Sequence, residues 1–432
     1  MYYSFLTSDF SSATIVSIDG VGETSTMSIG EGFYNDVKEL KKVKYPHSLG
    51  LFYSAMTSFL GFKPNEGEYK VMGLASYGNP QDFDKKMEQL ISYEDGTIKC
   101  NMKYFKWDKF DDMMFDHNLE EFLGIECRVK DSPIKTVHEN LASSVQKRYE
   151  EILFEILKDA KELTNNNRLC LGGGCAYNGT ANGKIVKNNL FKYLWIPPAP
   201  SDAGSSIGSC LHYISKVKNK HVVINPNPFL GPSFKNDEIL STLEKYKVFI
   251  TYKKHEYTFL IKTIASFLNS GMVIGYFNDR IEFGARALGN RSILADPTKP
   301  YMKDRINTLI KKRENFRPFA PMVTFESQFK YFDSKDFIPY MNQVVNVREE
   351  YKEKLPAITH IDGTARVQSV LPSNPIYELL KEFEKLSKYP ILLNTSFNVK
   401  DKTMVLTPED AIQTFLETDM DFLVINNYLI SK

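Results

Sequence analysis

From Glu282 to Phe319 the chain reads EFGARALGNRSILADPTKPYMKDRINTLIKKRENFRPF, the densest run of chemistry-bearing residues in the sequence. Between Arg280 and Arg317 stand ten Lys or Arg against four Asp or Glu, while the whole 432-residue chain nets only +1. Positive charge so confined faces a local anion. Guanidinium groups are planar forks that grip carboxylate or phosphate oxygens in pairs, and a lysine adds a compact charge. Arg286, Arg291, Lys311, Arg313 and Arg317 are the candidates. Gly284 and Gly289 bracket Arg286 and admit turns or a close approach of backbone to a ligand. The competing reading is a solvated basic face on a helix from Met302 to Arg313, preferred for Lys303 and Lys312. Arg286 and Arg291 follow the apolar run MVIGYF in a glycine-punctuated segment, and for them the binding reading is preferred.

Further candidates stand at the ends of buried runs. YPILLNTSFNV puts Asn394, Ser396 and Asn398 after a strand, where small polar groups bind oxygen atoms at a sheet end or simply form a turn. HIDGTARVQSV supplies His360 and Arg366. RLCLGGGCAYNGTANGKI predicts a short strand, a triple glycine and a helix start, a natural anion or nucleotide site. There Gly172, Gly173 and Gly174 leave room for adenosine or phosphate, and Asn178 offers a polar side chain; the spacing is neither GxGxxG nor GxxxxGK[ST]. TIVSID from Thr14, followed by GVGE, predicts a strand, a glycine turn and a returning strand with Asp19 at the strand end. After the loop WIPPAP, Ser201 and Asp202 open a helix of small residues, with Asp202 either its N-cap or a ligand.

The positioning elements follow from periodicity. A buried helix is expected over His47–Phe62, closing at Gly61, with His47 and Ser48 at its start and Lys70 beyond it. A long amphipathic helix is expected over Val137–Leu163, and the acidic, aromatic stretch Tyr104–Asp116 reads as an insertion or lid. INPNPFLGPSF, from Ile224 to Phe234, marks a boundary between residues 1–226 and 227–432. Beyond it come a helix, an NSG stop and a strand at MVIGYF; Thr407 caps a helix with Pro408 at its first position, and a final strand follows.

Composition bounds the class. With 42% hydrophobic and 25% charged residues, the chain is ordinary globular α/β material. Its five cysteines are odd in number and form no CxxC pair, so a disulfide scaffold or zinc ribbon is not expected and a reducing cytoplasm is. No apolar run reaches the roughly 18 to 20 residues of a membrane span, and MYYSFLTSDF lacks the layout of a signal peptide. Neither a membrane nor a nucleic-acid partner is expected from the near-zero net charge.

EFGARALGNRSILADP, IKKRENFRPFAP, DGxGE at Asp19 and NTSFNV together resemble the signature of the NodU/CmcH-type O-carbamoyltransferases. Ala285 stands where members usually have Pro. The resemblance covers essentially the whole chain and implies an actin-like (ASKHA) domain, N-terminally incomplete, followed by a YrdC-like α/β domain. It implies that the second domain makes carbamoyl adenylate from carbamoyl phosphate and ATP, with Mg2+, and that the first carbamoylates a hydroxyl of a sugar or other small acceptor. On that reading Arg286, Lys311, Arg317 and Arg366 hold carbamoyl and phosphate oxygens. Arg291, Arg313, His360, Asn394, Ser396 and Asn398 complete that pocket. Asp19, Gly173, Gly174 and Asn178 line a nucleotide side, KPNEGEYKVMGLASYG borders the acceptor pocket, and Asp202 is a metal ligand. His47, Ser48 and Lys70 are then acceptor-side candidates, with a helix cap and a core-edge lysine as equally good readings.

In relatives iron is held by that aspartate and two histidines of an HHxxH segment ahead of the DGxGE hairpin. No such pair stands in this sequence. The expectation is therefore an incomplete iron site, completed by a separate chain or lost. Two alternatives accompany it: a degenerate member that only forms carbamoyl adenylate, and an RNA-binding or tRNA-modifying YrdC-like protein.

Overall fold

The computed structural model describes residues 1–109, 113–218, 224 and 227–432. The chain divides into two compact units, Met1–Pro226 and Asn227–Lys432. Residues 225 and 226 of the expected boundary, and 110–112 of the expected lid, lie outside the described residues.

In the first unit β1 (Ser12–Gly22), β2 (Ser25–Phe33) and β3 (Asp36–Lys44) form an antiparallel meander. A separate hairpin pairs β4 (Ile91–Glu94) with β5 (Thr97–Cys100), and β6 (Arg168–Gly172) and β7 (Tyr193–Trp195) join the main sheet in the order β3-β2-β1-β6-β7. Ala13, Ile15, Val16 and Ile18 are buried in β1, its central strand. The turn expected at Asp19 lies further on. β1 continues through Asp19-Gly20-Val21-Gly22 across an irregular register between Ile18 and Gly22, and the chain reverses at Glu23, whose φ is +28°. Glycine in a strand weakens regular pairing and favours a bulge instead of a stop.

The helices of this unit form where periodicity put them, over Leu49–Phe59 and Thr136–Thr164. Gly61 turns the chain after the first with a φ of +73°. The described part of Tyr104–Asp116 packs on that helix: Phe105 is fully buried against Phe52, and Lys106 pairs with Asp116 at 2.8 Å.

In the second unit β8 (Thr251–Lys254), β9 (Ile274–Phe277), β10 (Arg291–Ala295) and β11 (Ala320–Thr324) enter one large sheet. β12 (Phe332–Asp333), β13 (Val344–Val347) and β14 (Thr364–Arg366) make a small one. β15 (Gln368–Val370), β16 (Ile391–Ser396), β17 (Phe422–Ile425) and β18 (Tyr428–Ser431) complete the large sheet, ordered β15-β11-β16-β10-β9-β17-β18-β8. The expected final strand is thus a hairpin.

Alternation along these strands divides the core between two faces. Ile293, Ala295, Ile391, Leu393, Leu423 and Ile425 pack in one cluster, and Leu294, Leu392 and Val424 in another. Helices Tyr257–Asn269 and Ile376–Ser387 cover the second face, and residues of helices Asn236–Tyr246 and Pro408–Leu416 join the first. Each Ile, Leu or Val among them contributes about 1.5–3 kcal/mol by leaving water. Thr407 caps the last helix as expected, its Oγ accepting from the Asp410 N–H at 3.1 Å.

The basic helix expected over Met302–Arg313 is shorter and differently wound. It is α-helical over Met302–Arg305 and π-helical over Ile306–Lys311, and Lys312 ends it with a φ of +50°. The wider turn carries Lys311 inward; Ile306, Ile310 and Lys311 are all buried.

Candidate active site

Strand register brings the C-terminal candidates together. β10 and β11 both run antiparallel to β16, with Ser292 opposite Ser396 and Ala320 opposite Asn394. The starts of β10 and β11 and the end of β16 therefore share one end of the sheet. Arg286 lies on the loop entering β10, and Arg313 and Arg317 on the loop entering β11. β15 runs parallel to β11, Gln368 opposite Met322, so Arg366 arrives at the same end from β14. Asn394 and Ser396 stand inside β16, not after it; only Asn398 follows.

The Arg286 loop is folded around Glu282, whose Oε1 accepts the N–H groups of Leu288 at 2.8 Å, Asn290 at 2.8 Å and Arg291 at 3.2 Å. Gly284 and Gly289 have φ of +134° and +117°, a conformation side chains resist, and a Cβ at Gly289 would also press Ile376 at 3.2 Å. Arg291 is wholly buried. Its guanidinium donates to the carbonyls of Asn278 at 2.7 Å, Asn290 at 2.9 Å and Asp279 at 3.0 Å, and lies 3.4 Å from the Phe277 ring centroid. Burial pushes it down to about 10, against the nearby Glu282 and Asp279 charges. Arg291 thus holds backbone in place, where the sequence suggested a ligand contact. Asn394 does likewise: its Nδ2 donates to Ala287 O at 3.0 Å and to Gln368 Oε1 at 2.9 Å. Gln368 in turn donates to Leu288 O at 2.7 Å.

Lys311, Ser396 and Asn398 form one hydrogen-bonded group. Lys311 Nζ donates to Ser396 O at 2.5 Å, Asn398 Oδ1 at 2.6 Å and Asn398 O at 2.9 Å, with Ser396 Oγ at 3.2 Å. Ser396 Oγ donates to Asn398 Oδ1 at 2.7 Å. Burial first, and the Arg313 and Arg317 charges next, push this lysine well below the ordinary range. Arg313 is held by Asn307 Oδ1 at 2.7 Å beside the Phe319 ring. Glu314 lies 3.6 Å from Arg317 and 3.8 Å from Lys400, a counter-charge within this basic group.

His360 and Arg366 are neighbours. Burial pushes the imidazole down to about 4, helped by the Arg366 and Lys303 charges and opposed by Asp362, so His360 is neutral at pH 7. Lys303, expected on a solvated face, is instead half-buried and lowered by that burial. Sequence reading missed it, as it missed Glu282 and Gln368, because no local pattern separates a charged residue that turns inward from one on a surface helix.

Comparison with known proteins draws both units into one group. The family model described as carbamoyltransferase N-terminus matches residues 3–211, and that described as carbamoyltransferase C-terminus matches residues 265–432. An uncharacterized protein of Synechocystis sp. is 39% identical over 99% of this chain and 74% of its own length. The chain belongs to the carbamoyltransferase family. Nodulation protein NolO of Bradyrhizobium diazoefficiens is 36% identical over 99% of this chain and 77% of its own length. Nodulation protein U of Rhizobium tropici is 36% identical over 55% of this chain and 39% of its own length. The resemblance read from EFGARALGNRS and its companions is borne out at the level of family, and with it the expectation of a carbamoyltransferase enzyme.

In the N-terminal unit of this carbamoyltransferase, the triple glycine is where β6 meets β1. A Cβ on Gly173, whose φ is +85°, would fall 2.1 Å from Ile18 O. The Gly174 N–H donates to Asp19 Oδ1. Burial pushes Asp19 upward, the Gly174 N–H opposes it, and Asp202 adds repulsion, which puts the two acids within each other's field. Asp202 is the first residue of helix Asp202–His212; Ser201, not Asp202, holds the cap position and makes no side-chain cap bond. Asn178 caps helix Gly179–Lys187 through Ala181 N–H at 3.1 Å and exchanges amide hydrogen bonds with Gln146. That engagement makes it scaffold.

Ser48 is likewise an N-cap, accepting from Leu51 N–H at 3.0 Å and donating to Gly20 O at 2.6 Å. His47 Nδ1 accepts from Cys100 N–H at 3.1 Å, and Lys70 lies over the Phe62 ring. Among the described residues no three His, Cys, Asp or Glu gather as metal ligands, so an iron set of Asp202 with two histidines does not form from them. Among the described residues no helix is long and apolar enough to cross a membrane.

Proposed function

We propose that this chain is an O-carbamoyltransferase whose C-terminal unit, of YrdC-like type, uses carbamoyl phosphate, water and ATP, with Mg2+, to make carbamoyl adenylate: the carbamoyl–phosphate bond is broken and phosphate leaves, and the carbamate oxygen then bonds the α-phosphorus of ATP as pyrophosphate leaves. The N-terminal unit, of actin-like type, then passes the carbamoyl group to a hydroxyl of a sugar or other small acceptor. The observation that carries this reading is the gathering of the Arg286 loop, Arg313, Arg317, Arg366 and the Lys311–Ser396–Asn398 group at one end of one sheet. Preorganised positive donors stabilise the charge that develops on transferring phosphoryl and acyl oxygens.

In this mechanism Arg286, Arg317 and Arg366 hold carbamoyl and phosphate oxygens. Lys311 fixes Ser396 and Asn398 so that their polar groups orient the carbamoyl end, and Arg291 and Asn394 brace the loop behind Arg286. Neutral His360 adds no charge to repel or attract the anion. Asp19 and the Gly173–Gly174 backbone border the nucleotide side of the N-terminal unit, with Asp202 near Asp19. No step is assigned to iron. ATP and carbamoyl phosphate as co-substrates, together with five free cysteines, support a cytoplasmic setting.

The test is carbamoyl-phosphate-dependent exchange of pyrophosphate into ATP by the purified chain, compared with Arg317→Ala. Exchange that falls about a hundredfold in the variant supports the reading. A folded wild-type chain that supports no exchange overturns it. Carbamate formation on an added hydroxyl acceptor then tests transfer separately.

A further inference from the structure

We infer that Glu282 is the positioning residue of the activation reaction: its buried carboxylate folds the 284–291 loop so that Arg286 meets the carbamoyl phosphate anion. This deepens the proposed function and rests on it. Glu282 Oε1 alone gathers three N–H groups of the loop, from Leu288, Asn290 and Arg291, a geometry that a carboxylate oxygen fills well because it only accepts. Its Oε2 is buried without a hydrogen-bond partner. The same loop is tied from every other direction. Gln368 and Asn394 hold the carbonyls of Leu288 and Ala287, Arg291 holds that of Asn290, and Asn290 Nδ2 donates to Arg280 O at 2.7 Å.

These ties fall on residues 287–291, which follow Arg286. With Gly284 and Gly289 both at positive φ, the intervening segment has little conformational preference of its own. Its shape comes from these ties, three of which converge on the single Glu282 oxygen. Preorganising an anion-binding side chain lowers the ordering cost of binding, and Arg286 meets oxygens already charged in free carbamoyl phosphate, so the loop's contribution appears mainly in affinity for that anion.

The experiment measures pyrophosphate exchange kinetics and amide hydrogen exchange for wild type, Glu282→Gln, Glu282→Asp and Arg286→Ala. Glu282→Gln keeps the shape but loses the charge; Glu282→Asp keeps the charge but loses the reach. The expected result for both is faster exchange of the Leu288, Asn290 and Arg291 amides and a KM for carbamoyl phosphate raised about tenfold, with kcat and the KM for ATP nearly unchanged. Combined with Arg286→Ala, neither adds its full effect. Faster amide exchange with an unchanged KM for carbamoyl phosphate overturns the inference, as do equal losses for both substrates. Should Arg286→Ala itself leave carbamoyl phosphate kinetics intact, the role given to Arg286 fails, and the inference with it. If one Glu282 variant does not fold, the other decides.

Discussion

Lys311 Nζ stands 2.6 Å from Asn398 Oδ1 and 2.5 Å from Ser396 O, so a charge from the end of a π-helical turn closes the mouth of a central strand. Four oxygen atoms draw the proton to this amine, while burial and two arginines push it away. The net displacement is downward from 10.5, and its sign has a consequence. Between the lowered folded value and 10.5 the unfolded chain binds more protons than the folded one, so this group makes stability rise with pH over that window. Denaturant unfolding at a series of pH values is expected to show a steeper rise for wild type than for Lys311→Met. The variant also loses stability, by about 1–3 kcal/mol, because the Ser396 and Asn398 oxygens lose the buried donor they share. Parallel pH curves would show that the amine keeps its ordinary affinity for protons.

Arg291→Lys is expected to cost about 1–3 kcal/mol, the cost of losing charge-assisted hydrogen bonds in a buried setting. A lysine cannot reproduce the planar fork that reaches three carbonyls while lying on Phe277, so the Asn278 and Asp279 carbonyls lose their guanidinium donor. Thermal unfolding and amide exchange over residues 278–291 check this. A variant as stable as wild type would refute the reading of Arg291 as the tie of that loop.

Gly173→Ala and Gly174→Ala are expected to differ sharply. At Gly173 a methyl group meets Ile18 O at 2.1 Å in a left-handed backbone, whereas at Gly174 the nearest atom, Asp19 Oδ1, is 3.4 Å away and no positive φ is required. Strain and clash together cost about 3 kcal/mol or more at the first site. Unfolding midpoints falling equally in both variants would contradict this.

Asp19→Asn is expected to stabilise the N-terminal unit at pH 7 while abolishing acceptor-dependent transfer. A carboxyl whose folded pKa lies above 3.8 binds its proton more tightly in the folded chain, so stability falls as pH rises between those two values. Asparagine keeps an oxygen for the Gly174 N–H and carries no charge. Pyrophosphate exchange should survive in this variant, since the residue belongs to the other unit. Loss of stability at pH 7 would show that ionised Asp19 is held by favourable contacts.

Much of the site was legible before folding. The arginine-rich stretch, the NTSFNV strand end and the triple glycine carry their chemistry in type and spacing, and EFGARALGNRS sufficed for the family. Residues whose role depends on direction were not legible. Arg291 and Arg286 lie five positions apart in one glycine-marked segment, and nothing local says that the first turns into the core. Asn178 reads as a polar side chain beside the glycines and Ser48 as either a cap or a ligand, and only their bonds to Ala181 and Leu51 decide for the cap. The turn expected at Asp19 moved four residues because β2 pairs with β1 beyond Ile18, a choice made by the partner strand.

By itself the sequence determined the chemistry available: which groups are charged, which positions tolerate only glycine, and which apolar periods make strands and helices. Those properties belong to single residues and near neighbours. The tertiary structure alone decided which of those groups meet. Lys311 and Ser396 are 85 residues apart, and Asn394 and Ala287 are 107. Their contacts exist because β10, β11 and β16 align in one register, and that register is set by burying two apolar faces at once, a condition on the whole sheet that no single segment contains.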